Sequence, residues 1–336
     1  MRIHIVFILA VSLVCLAFTT PAFADVIPLS SLNLVGNSLG TSQLVVNSLG
    51  QTVLRLTPNY DTNVGGAPPA GAAWTKTEYN VADPFSLNFQ FQMSAPCLNG
   101  LTGNPPCAND RGHGGDGIAF LIQNSAQGSS AIGEGAGGMG FLGIFDSVAV
   151  MLDTYQNNGK DYYGDPSNNY IAVNTRGTDF NVPHHFCMNV NGTMELTADP
   201  SVGTDLPGVT CTANPTLGMT GYGGVPALSE ITQDIDSGVY DLGVTYTGSN
   251  PGERMLDIYL DSSLVLAVSI DLATTLDLQG GQNAFLGFTA GTRNAYQNQD
   301  ILSFTITPEP AWGQLWVPLA MILAAALARK WRRSKV

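Results

Sequence analysis

Charged residues are scarce in this chain, and basic residues are the scarcest. Lysine, arginine, aspartate and glutamate form 12% of the 336 residues, about half of the share in an average soluble domain. Arg2 and five residues of the C-terminal tail are six of the 13 basic residues, which leaves seven against 25 acidic ones once Glu309 is set aside. A body of this charge repels nucleic acid, so we expect no nucleic-acid partner. It suits neutral glycans and divalent cations, and an acidic surface that only promotes solubility is the alternative.

A carboxylate pattern typical of glycoside hydrolases is also missing. A strand of the type Glu-x-Asp-x-Glu, which would place both catalytic acids on one face, does not occur. Four glutamates are isolated in loop-like surroundings: Glu134, Glu195, Glu230 and Glu253. The sequence therefore predicts a protein that is not an enzyme.

Cysteine is rare, with five residues in the chain. Cys15 falls in an N-terminal export segment, and the remaining four are Cys97, Cys107, Cys187 and Cys211. An even number in an exported chain predicts disulfides, and four cysteines allow three pairings. Pairing neighbours in sequence, the first with the second and the third with the fourth, is favoured. A zinc site is the alternative, but no Cys-x-x-Cys is present.

The first 24 residues form a targeting pattern. Arg2 and His4 precede an apolar run over residues 5–18, and Ala-Phe-Ala at 22–24 offers small residues for cleavage. This order predicts a signal peptide over residues 1–24 and a mature chain that starts at Asp25. An uncleaved N-terminal membrane span is the alternative, although the apolar run is short for one.

The last 29 residues form a second targeting pattern, over residues 308–336. Pro-Glu-Pro at 308–310 precedes an apolar run at 311–328 and a basic end. As a helix this run would be about 27 Å long, which predicts a short transmembrane helix with its basic end in the cytoplasm. The order resembles the PEP-CTERM sorting signal of bacteria, which implies exosortase-type processing machinery, and a plain membrane anchor is the alternative. We therefore expect the body in the cell envelope, on the cell surface or outside the cell.

Residues 25–307 favour one antiparallel β-sandwich. This body is rich in glycine, threonine, asparagine, valine and leucine, and it shows no long helical periodicity. Strand-like runs recur between turn residues, and residues 86–93 alternate apolar with polar side chains, as half-buried antiparallel strands do. Residues 255–260 and 264–268 predict a hairpin. We thus expect an all-β domain.

Exceptions to the strand pattern are few. Short helical turns are expected at residues 272–278 and near Ile231. Residues 175–237 are rich in glycine, proline and asparagine, and they predict a loop-rich insertion. An independent small domain in that segment is the alternative.

An oxygen-rich loop follows the apolar run at residues 148–152. Asp153, the main-chain carbonyl of Tyr155 and the amide of Asn157 provide oxygens at alternate positions, and Asp165 adds a second carboxylate. Oxygen donors from one loop, without sulfur or imidazole, are what Ca²⁺ prefers. An ordinary Asp- and Asn-rich turn is the alternative. Asp161 competes with Asp165 as the residue that closes the site.

Two further motifs precede this loop: Gly-Gly-Asp-Gly-Ile-Ala-Phe at residues 114–120 and Gly-Gly-Met-Gly-Phe-Leu-Gly-Ile-Phe at 137–145. Together with Val-Ala-Val-Met-Leu-Asp-Thr-Tyr-Gln-Asn at 148–157 they resemble the L-type, or legume-lectin-like, family. The resemblance implies a concanavalin-like jelly-roll sandwich and calcium-dependent, non-catalytic carbohydrate binding. Glycans or exopolysaccharide would be the partners. A structural or adhesive surface protein that has lost sugar binding is the alternative.

The resemblance also implies roles for individual residues. Asp153, the carbonyl of Tyr155, Asn157 and Asp165 would bind calcium, and Asn157 would also face the sugar. Asp116 would accept hydrogen bonds from two sugar hydroxyls, in the charge-assisted form that is stronger than a neutral bond.

Other parts of the family pattern concern the peptide before Asp116, the glycine motif and a stacking surface. The family aspartate usually follows a cis peptide, so the Gly115–Asp116 bond is expected to be cis. The amide of Gly140 would donate a hydrogen bond to the sugar. Tyr155, or a tyrosine at 162 or 163, would offer a ring for the sugar to stack on.

Two positions depart from the pattern of the plant members, which bind a transition metal beside the calcium. The expected glutamate and histidine are replaced by Met151 and Tyr170. A thioether and a phenol are poor ligands for such a metal. We therefore expect calcium alone.

Overall fold

The computed structural model describes fifteen stretches of the chain, namely residues 24–37, 40–59, 68–95, 114–157, 167–181, 183, 186–188, 194–196, 224–231, 234–236, 238–248, 250, 252–278, 281–293 and 295–308. For residues 40–41, 186–188, 194–196, 224–230 and 308 the description is limited to the backbone. The predicted signal peptide up to residue 23 and the tail from residue 309 lie outside it. Within the described stretches, no helix has the length and apolar character needed to cross a membrane.

Several predicted site and disulfide residues also fall outside the description. These are Asp161, Asp165, Cys97, Cys107 and Cys211. Cys187 lies in a short strand whose backbone alone is described. The disulfides and the closing calcium ligand therefore stay predictions.

Nineteen strands build the described part of the chain: β1 Asp25–Val26, β2 Asn33–Asn37, β3 Gly40–Thr41, β4 Gln43–Val46, β5 Thr52–Thr57, β6 Ala70–Trp74, β7 Tyr79–Asn80, β8 Phe85–Ser94, β9 Gly117–Gln123, β10 Ser147–Asp153, β11 Tyr170–Thr175, β12 Phe186–Met188, β13 Met194–Leu196, β14 Gly224–Glu230, β15 Val239–Thr247, β16 Met255–Leu260, β17 Ser263–Ser269, β18 Asn283–Gly291 and β19 Asn298–Pro308. One α-helix, α1, spans Leu272–Thr275. Three 3₁₀ helices span Leu29–Ser31, Gly128–Ser130 and Ala136–Gly138.

The strands form two large antiparallel sheets. The eight-stranded sheet has the order β17-β16-β15-β8-β19-β5-β4, with β1 paired to β19. The nine-stranded sheet has the order β14-β11-β10-β9-β18-β6-β2-β3, with β7 paired to β18. The all-β antiparallel sandwich expected from the sequence is confirmed.

The main core lies between the two sheets. Along β8 buried apolar residues alternate with more exposed polar ones, as the sequence pattern predicted. The ring of Phe89 from β8 lies 4.9 Å from that of Phe288 in β18, and the ring of Phe304 from β19 lies 5.0 Å from that of Phe288. Aromatic pairs at such distances stabilise a core beyond the area that they bury.

The nine-stranded sheet is also covered on its outer face. Every residue of β6, β9, β10 and β11 is buried, which one packed face alone would not produce. The cover is the loop between β9 and β10, whose Met139, Phe141 and Ile144 pack on Trp74 and Met151. This loop contains the glycine motif, so packing of the outer face fixes the position of that motif.

Local predictions elsewhere had mixed outcomes. The hairpin is confirmed as β16 and β17, whose turn residues Asp261 and Ser262 have positive φ angles of 46° and 67°. The helical turn at 272–278 is confirmed as α1, which the carboxylate of Asp271 caps by accepting from the amide of Ala273. Near Ile231, the described residues contain no helix: Ile231 directly follows β14, and residues 235–236 form a turn.

The segment at 175–237, predicted to be a loop-rich insertion, contains structure of two kinds. β12 and β13 form a separate two-stranded sheet. β14, near the end of the segment, pairs with β11 as an edge strand of the nine-stranded sheet. At least this last part of the segment therefore belongs to the sandwich.

Candidate functional site

Three central strands of the nine-stranded sheet meet at one edge. Asp153, the last residue of β10, is paired with Gly117, the first residue of β9. On the other side Gly117 is paired with Gly291, the last residue of β18. The oxygen-rich loop after β10 and the aspartate before β9 are therefore neighbours, as the family resemblance implied.

Asp116 is held at this edge by its main chain. The Gly115–Asp116 peptide is cis, as expected. The amide of Asp116 donates to the carbonyl of Gly291 at 2.9 Å, and its carbonyl accepts from the amide and the hydroxyl of Thr154 at 3.0 and 3.3 Å. The residue is only 4% exposed. Three strand ends thus determine the position of the Asp116 backbone.

The glycine motif packs directly on the end of β18. A Cβ added to Gly291 would lie 2.5 Å from the carbonyl oxygen of Ala136 and 2.9 Å from the Cα of Met139. Gly117 is covered in the same way, because an added Cβ would lie 2.8 Å from the Cε of Met139. The loop therefore approaches the site backbone more closely than a side chain at either glycine would allow.

Gly140, predicted to donate its amide to a sugar, has another partner in this conformation. Its amide donates to the carbonyl of Glu134 at 2.7 Å. Its φ angle is +74°, and an added Cβ would lie 2.7 Å from the carbonyl oxygen of Ala290, so glycine alone fits this place. A sugar would have to displace the bond to Glu134 to use this amide.

The start of the predicted calcium loop is ordered by Asp153, which is 2% exposed. One carboxylate oxygen, Oδ1, accepts from the amide of Tyr155 at 2.8 Å. The other, Oδ2, accepts from the hydroxyl of Tyr170 at 3.2 Å. Both bonds hold the carboxylate at the end of β10, just before the half-buried residues Tyr155 and Asn157.

Met151 and Tyr170, at the two positions where the resemblance predicts metal ligands in plant members, are fully buried in the outer cluster. The side-chain amide of Asn174 contacts the sulfur of Met151 at 3.2 Å. Tyr170 instead uses its hydroxyl on Asp153. The side chain that replaces the expected histidine is thus connected to the predicted calcium loop through a hydrogen bond.

The described donors fit calcium in kind. Asp153, the carbonyl of Tyr155 and Asn157 would hold the ion, and all three offer oxygen. No cluster of three or more histidine, cysteine or acidic side chains occurs within the described stretches, which exclude Asp161 and Asp165. A bound calcium would supply positive charge that orders the loop, and the protein residues would determine the shape of the site.

Sequence reasoning missed two polar residues beneath the site. Gln299 donates its amide to the carbonyls of Gly115 and Gly291 at 3.2 and 3.3 Å. Gln297 donates to the hydroxyl of Thr154 at 2.9 Å. Both glutamines are fully buried. Gln299 lies in β19 of the opposite sheet and Gln297 just before that strand, so nothing in the local motifs pointed to them.

Comparisons with known proteins find structural likenesses. No family model matches the chain. Lectin II from Ulex europaeus is 18% identical, over 86% of this chain and 98% of that one, with a TM-score of 0.49. A lectin from Bauhinia forficata in complex with GalNAc is 15% identical over 85% and 97%, at 0.48. The Ca²⁺/Man-bound VIP36 exoplasmic/lumenal domain is 17% identical over 85% of each, at 0.42. All three TM-scores are below 0.5, so the fold assignment rests on the strand pairing described above.

Proposed function

We propose that this chain is a non-catalytic carbohydrate-binding protein whose sugar site depends on calcium. The observation that carries the proposal is the direct contact between Asp116 and the loop that begins at Asp153. Thr154 makes this contact with two hydrogen bonds to the carbonyl of Asp116. This contact brings the backbone of Asp116 beside a row of hard oxygen donors, which supports a calcium-dependent sugar site that includes the Asp116 carboxylate.

In this proposal each residue has a separate task. Asp116 accepts hydrogen bonds from two sugar hydroxyls, and its negative charge strengthens them. Tyr155 offers an aromatic face to the sugar ring, since it is half-buried and packs against Gly115. Asn157 binds calcium through its oxygen and donates from its amide to the sugar. Asp153 and the carbonyl of Tyr155 complete the described part of the calcium shell, and Asp161 or Asp165 closes it.

A second candidate function is a structural or adhesive surface protein that keeps the sandwich without binding sugar. The bond between the amide of Gly140 and the carbonyl of Glu134 favours this candidate, because it engages the expected sugar donor within the loop. Calcium binding without any sugar binding would distinguish it from the lectin.

The test is a calorimetric titration of Ca²⁺ into the chelator-stripped full chain, followed by a glycan array with and without calcium. Asp116→Ala should weaken the array signal about 100-fold and leave calcium affinity within about twofold, because loss of one charged hydrogen-bond partner costs several kcal/mol. Asp257→Asn, a change on β16 in the other sheet, is the matched control. Calcium-independent glycan signal, or an unaltered signal in Asp116→Ala, would contradict the proposal.

We further propose that the chain acts outside the cytoplasm and that its partners there are glycans or exopolysaccharide. The export signal at 1–24, the sorting tail at 308–336 and the apolar run at 311–328 support this proposal. Mass spectrometry of the cell-envelope fraction should find a chain that begins at Asp25. A chain that retains its first 24 residues would contradict it.

A further inference from the structure

We propose that Gln297 and Gln299 are positioning residues that hold the sugar acceptor Asp116 from the opposite sheet. This inference rests on the proposed sugar site and assigns to it a support that no local motif reveals. The two side chains extend from β19 of the eight-stranded sheet and from the residue just before it, across the end of the sandwich. They bond the backbone of the nine-stranded sheet around Asp116.

Gln299 donates hydrogen bonds to two backbone carbonyls next to Asp116. Its amide nitrogen donates to the carbonyl of Gly115, the residue before Asp116, at 3.2 Å. It also donates to the carbonyl of Gly291 at 3.3 Å, and that carbonyl is the acceptor for the amide of Asp116. The Gln299 side chain itself is oriented by the hydroxyl of Thr57, which donates to its oxygen at 2.6 Å. The side-chain amide of Gln299 therefore links β5, the end of β18 and the residue before Asp116.

Gln297 acts on Asp116 through Thr154. Its amide donates to the hydroxyl of Thr154 at 2.9 Å, and that hydroxyl donates in turn to the carbonyl of Asp116. Thr154 lies between Asp153 and Tyr155, the first two proposed calcium ligands. The chain of bonds from Gln297 thus connects the calcium loop and the sugar acceptor to the opposite sheet.

The glutamines also touch the glycines before Asp116. A Cβ added to Gly114 would lie 2.1 Å from the side-chain oxygen of Gln297. That oxygen is buried and makes no hydrogen bond within the described part of the chain. A buried acceptor without a partner costs stability, so replacing this oxygen by an apolar group is expected to cost little.

Near-isosteric methionine substitutions test the inference. Gln299→Met removes both donations to the backbone around Asp116, and we expect sugar affinity to fall about tenfold or more, since binding groups must be held within about 0.5 Å. Gln297→Met should weaken sugar binding less. It should leave the midpoint of thermal unfolding unchanged or raise it, because it also removes the unpartnered oxygen. If the two glutamines had only a structural role, the variants would change the stability of the fold more than the affinity for sugar.

Two measurements on the full chain give the readouts. Affinity is measured for mannosyl and galactosyl neoglycoproteins in calcium, and amide hydrogen exchange is measured at Asp116 and Gly117. Gln299→Met should accelerate exchange at Asp116 about tenfold. Asn181→Leu is the matched control: its buried amide donates to Ser147 and Asn174 at the other end of β10, so exchange at Asp116 should not change.

Different results would contradict the positioning role of the glutamines and the proposed lectin function. Wild-type exchange at Asp116 in Gln299→Met would overturn the positioning role, whether or not the protein binds sugar. Faster exchange together with a wild-type chain that binds neither neoglycoprotein would support the positioning role and count against the lectin. If Gln299→Met does not fold, Gln297→Met decides by the same readouts, and unaltered exchange and affinity in that variant overturn the inference.

Discussion

The two ends of β10 both bury polar side chains, but they use them differently. At the first end, Asn181 donates to the carbonyl and hydroxyl of Ser147 and to the carbonyl of Asn174, at 3.0 to 3.2 Å. These bonds tie a loop to the strand. At the last end, buried groups hold Asp153 and Asp116 beside half-buried residues at the rim. Burial of polar groups therefore serves folding at one end and, in our proposal, a binding site at the other.

The largest expected effect is that of Asp153→Ala at the site end. The hydroxyl of Tyr170 and the amide of Tyr155 would lose their acceptor. We expect calcium affinity to fall more than about 100-fold, in line with the loss of a direct carboxylate ligand, and the free energy of unfolding to fall by roughly 1–3 kcal/mol. Calorimetry and urea unfolding measure the two. Asp153→Asn should lose calcium with a smaller loss of stability, and calcium binding as in the wild type would remove Asp153 from the site.

At the opposite end, Asn181→Leu should lower the free energy of unfolding by roughly 1–3 kcal/mol, because three acceptors lose their donor. Calcium affinity should stay within about twofold of the wild type, since the change is one strand length away. Urea unfolding and calcium titration of the same sample test both statements. A clear loss of calcium affinity would show that the two ends are not independent.

A smaller effect is expected for Tyr170→Phe. The hydroxyl of Tyr170 orients the Oδ2 atom of Asp153, and loss of such an outer-shell bond typically weakens metal binding 10- to 100-fold. We expect about tenfold weaker calcium binding by calorimetry. Tyr246→Phe is the matched control, because Tyr246 lies in β15 of the other sheet and its buried hydroxyl accepts from Arg254 and from the amide of Leu272. Equal effects of the two variants would contradict a specific role for Tyr170.

The smallest effect concerns Asp146, just before the first end of β10. Burial raises the pKa of Asp146 above its ordinary value of 3.8, and the nearby charge of Asp277 adds to the rise. The folded state therefore holds this proton more tightly than the unfolded state. The resulting stability is complete below pH 3.8 and is lost as the pH rises through the folded-state pKa.

Asp146→Asn should accordingly raise stability at pH 7, because the buried charge is gone while an oxygen remains to accept from the amide of Asp277. The advantage over the wild type should shrink as the pH falls toward 3. Thermal unfolding between pH 3 and 7 measures this, with Asp257→Asn as the control. A wild-type pH profile in Asp146→Asn would assign the pH dependence to other groups.

Local patterns predicted much of the sandwich, since side-chain alternation follows directly from strand geometry. The alternating residues 86–93 lie in β8, and the two apolar runs on either side of residues 261–263 form the hairpin of β16 and β17. Residues 70–80 form two separate strands, β6 and β7, and each pairs with a different part of β18. Strand breaks that depend on a partner strand cannot be read from one segment.

The candidate site also has a part that the sequence predicted and a part that it did not. The motifs around Asp116 and Asp153 were recognisable because the residues of each motif are close together in sequence. The cis peptide before Asp116 was anticipated, whereas the bond from Gly140 to Glu134 was not. That bond depends on how the covering loop folds back on itself over the outer face of the sheet.

The sequence by itself thus determined the all-β class, the acidic body and the position of the oxygen-rich loop, because composition and short-range periodicity express them. Only the tertiary structure decided that Gln297 and Gln299 lie beneath Asp116. These glutamines are about 180 residues away along the chain, and only the stacking of β19 across β9 and β18 brings them to the site. Side chains from the opposite sheet carry no local signal, since their role exists only after the two sheets pack.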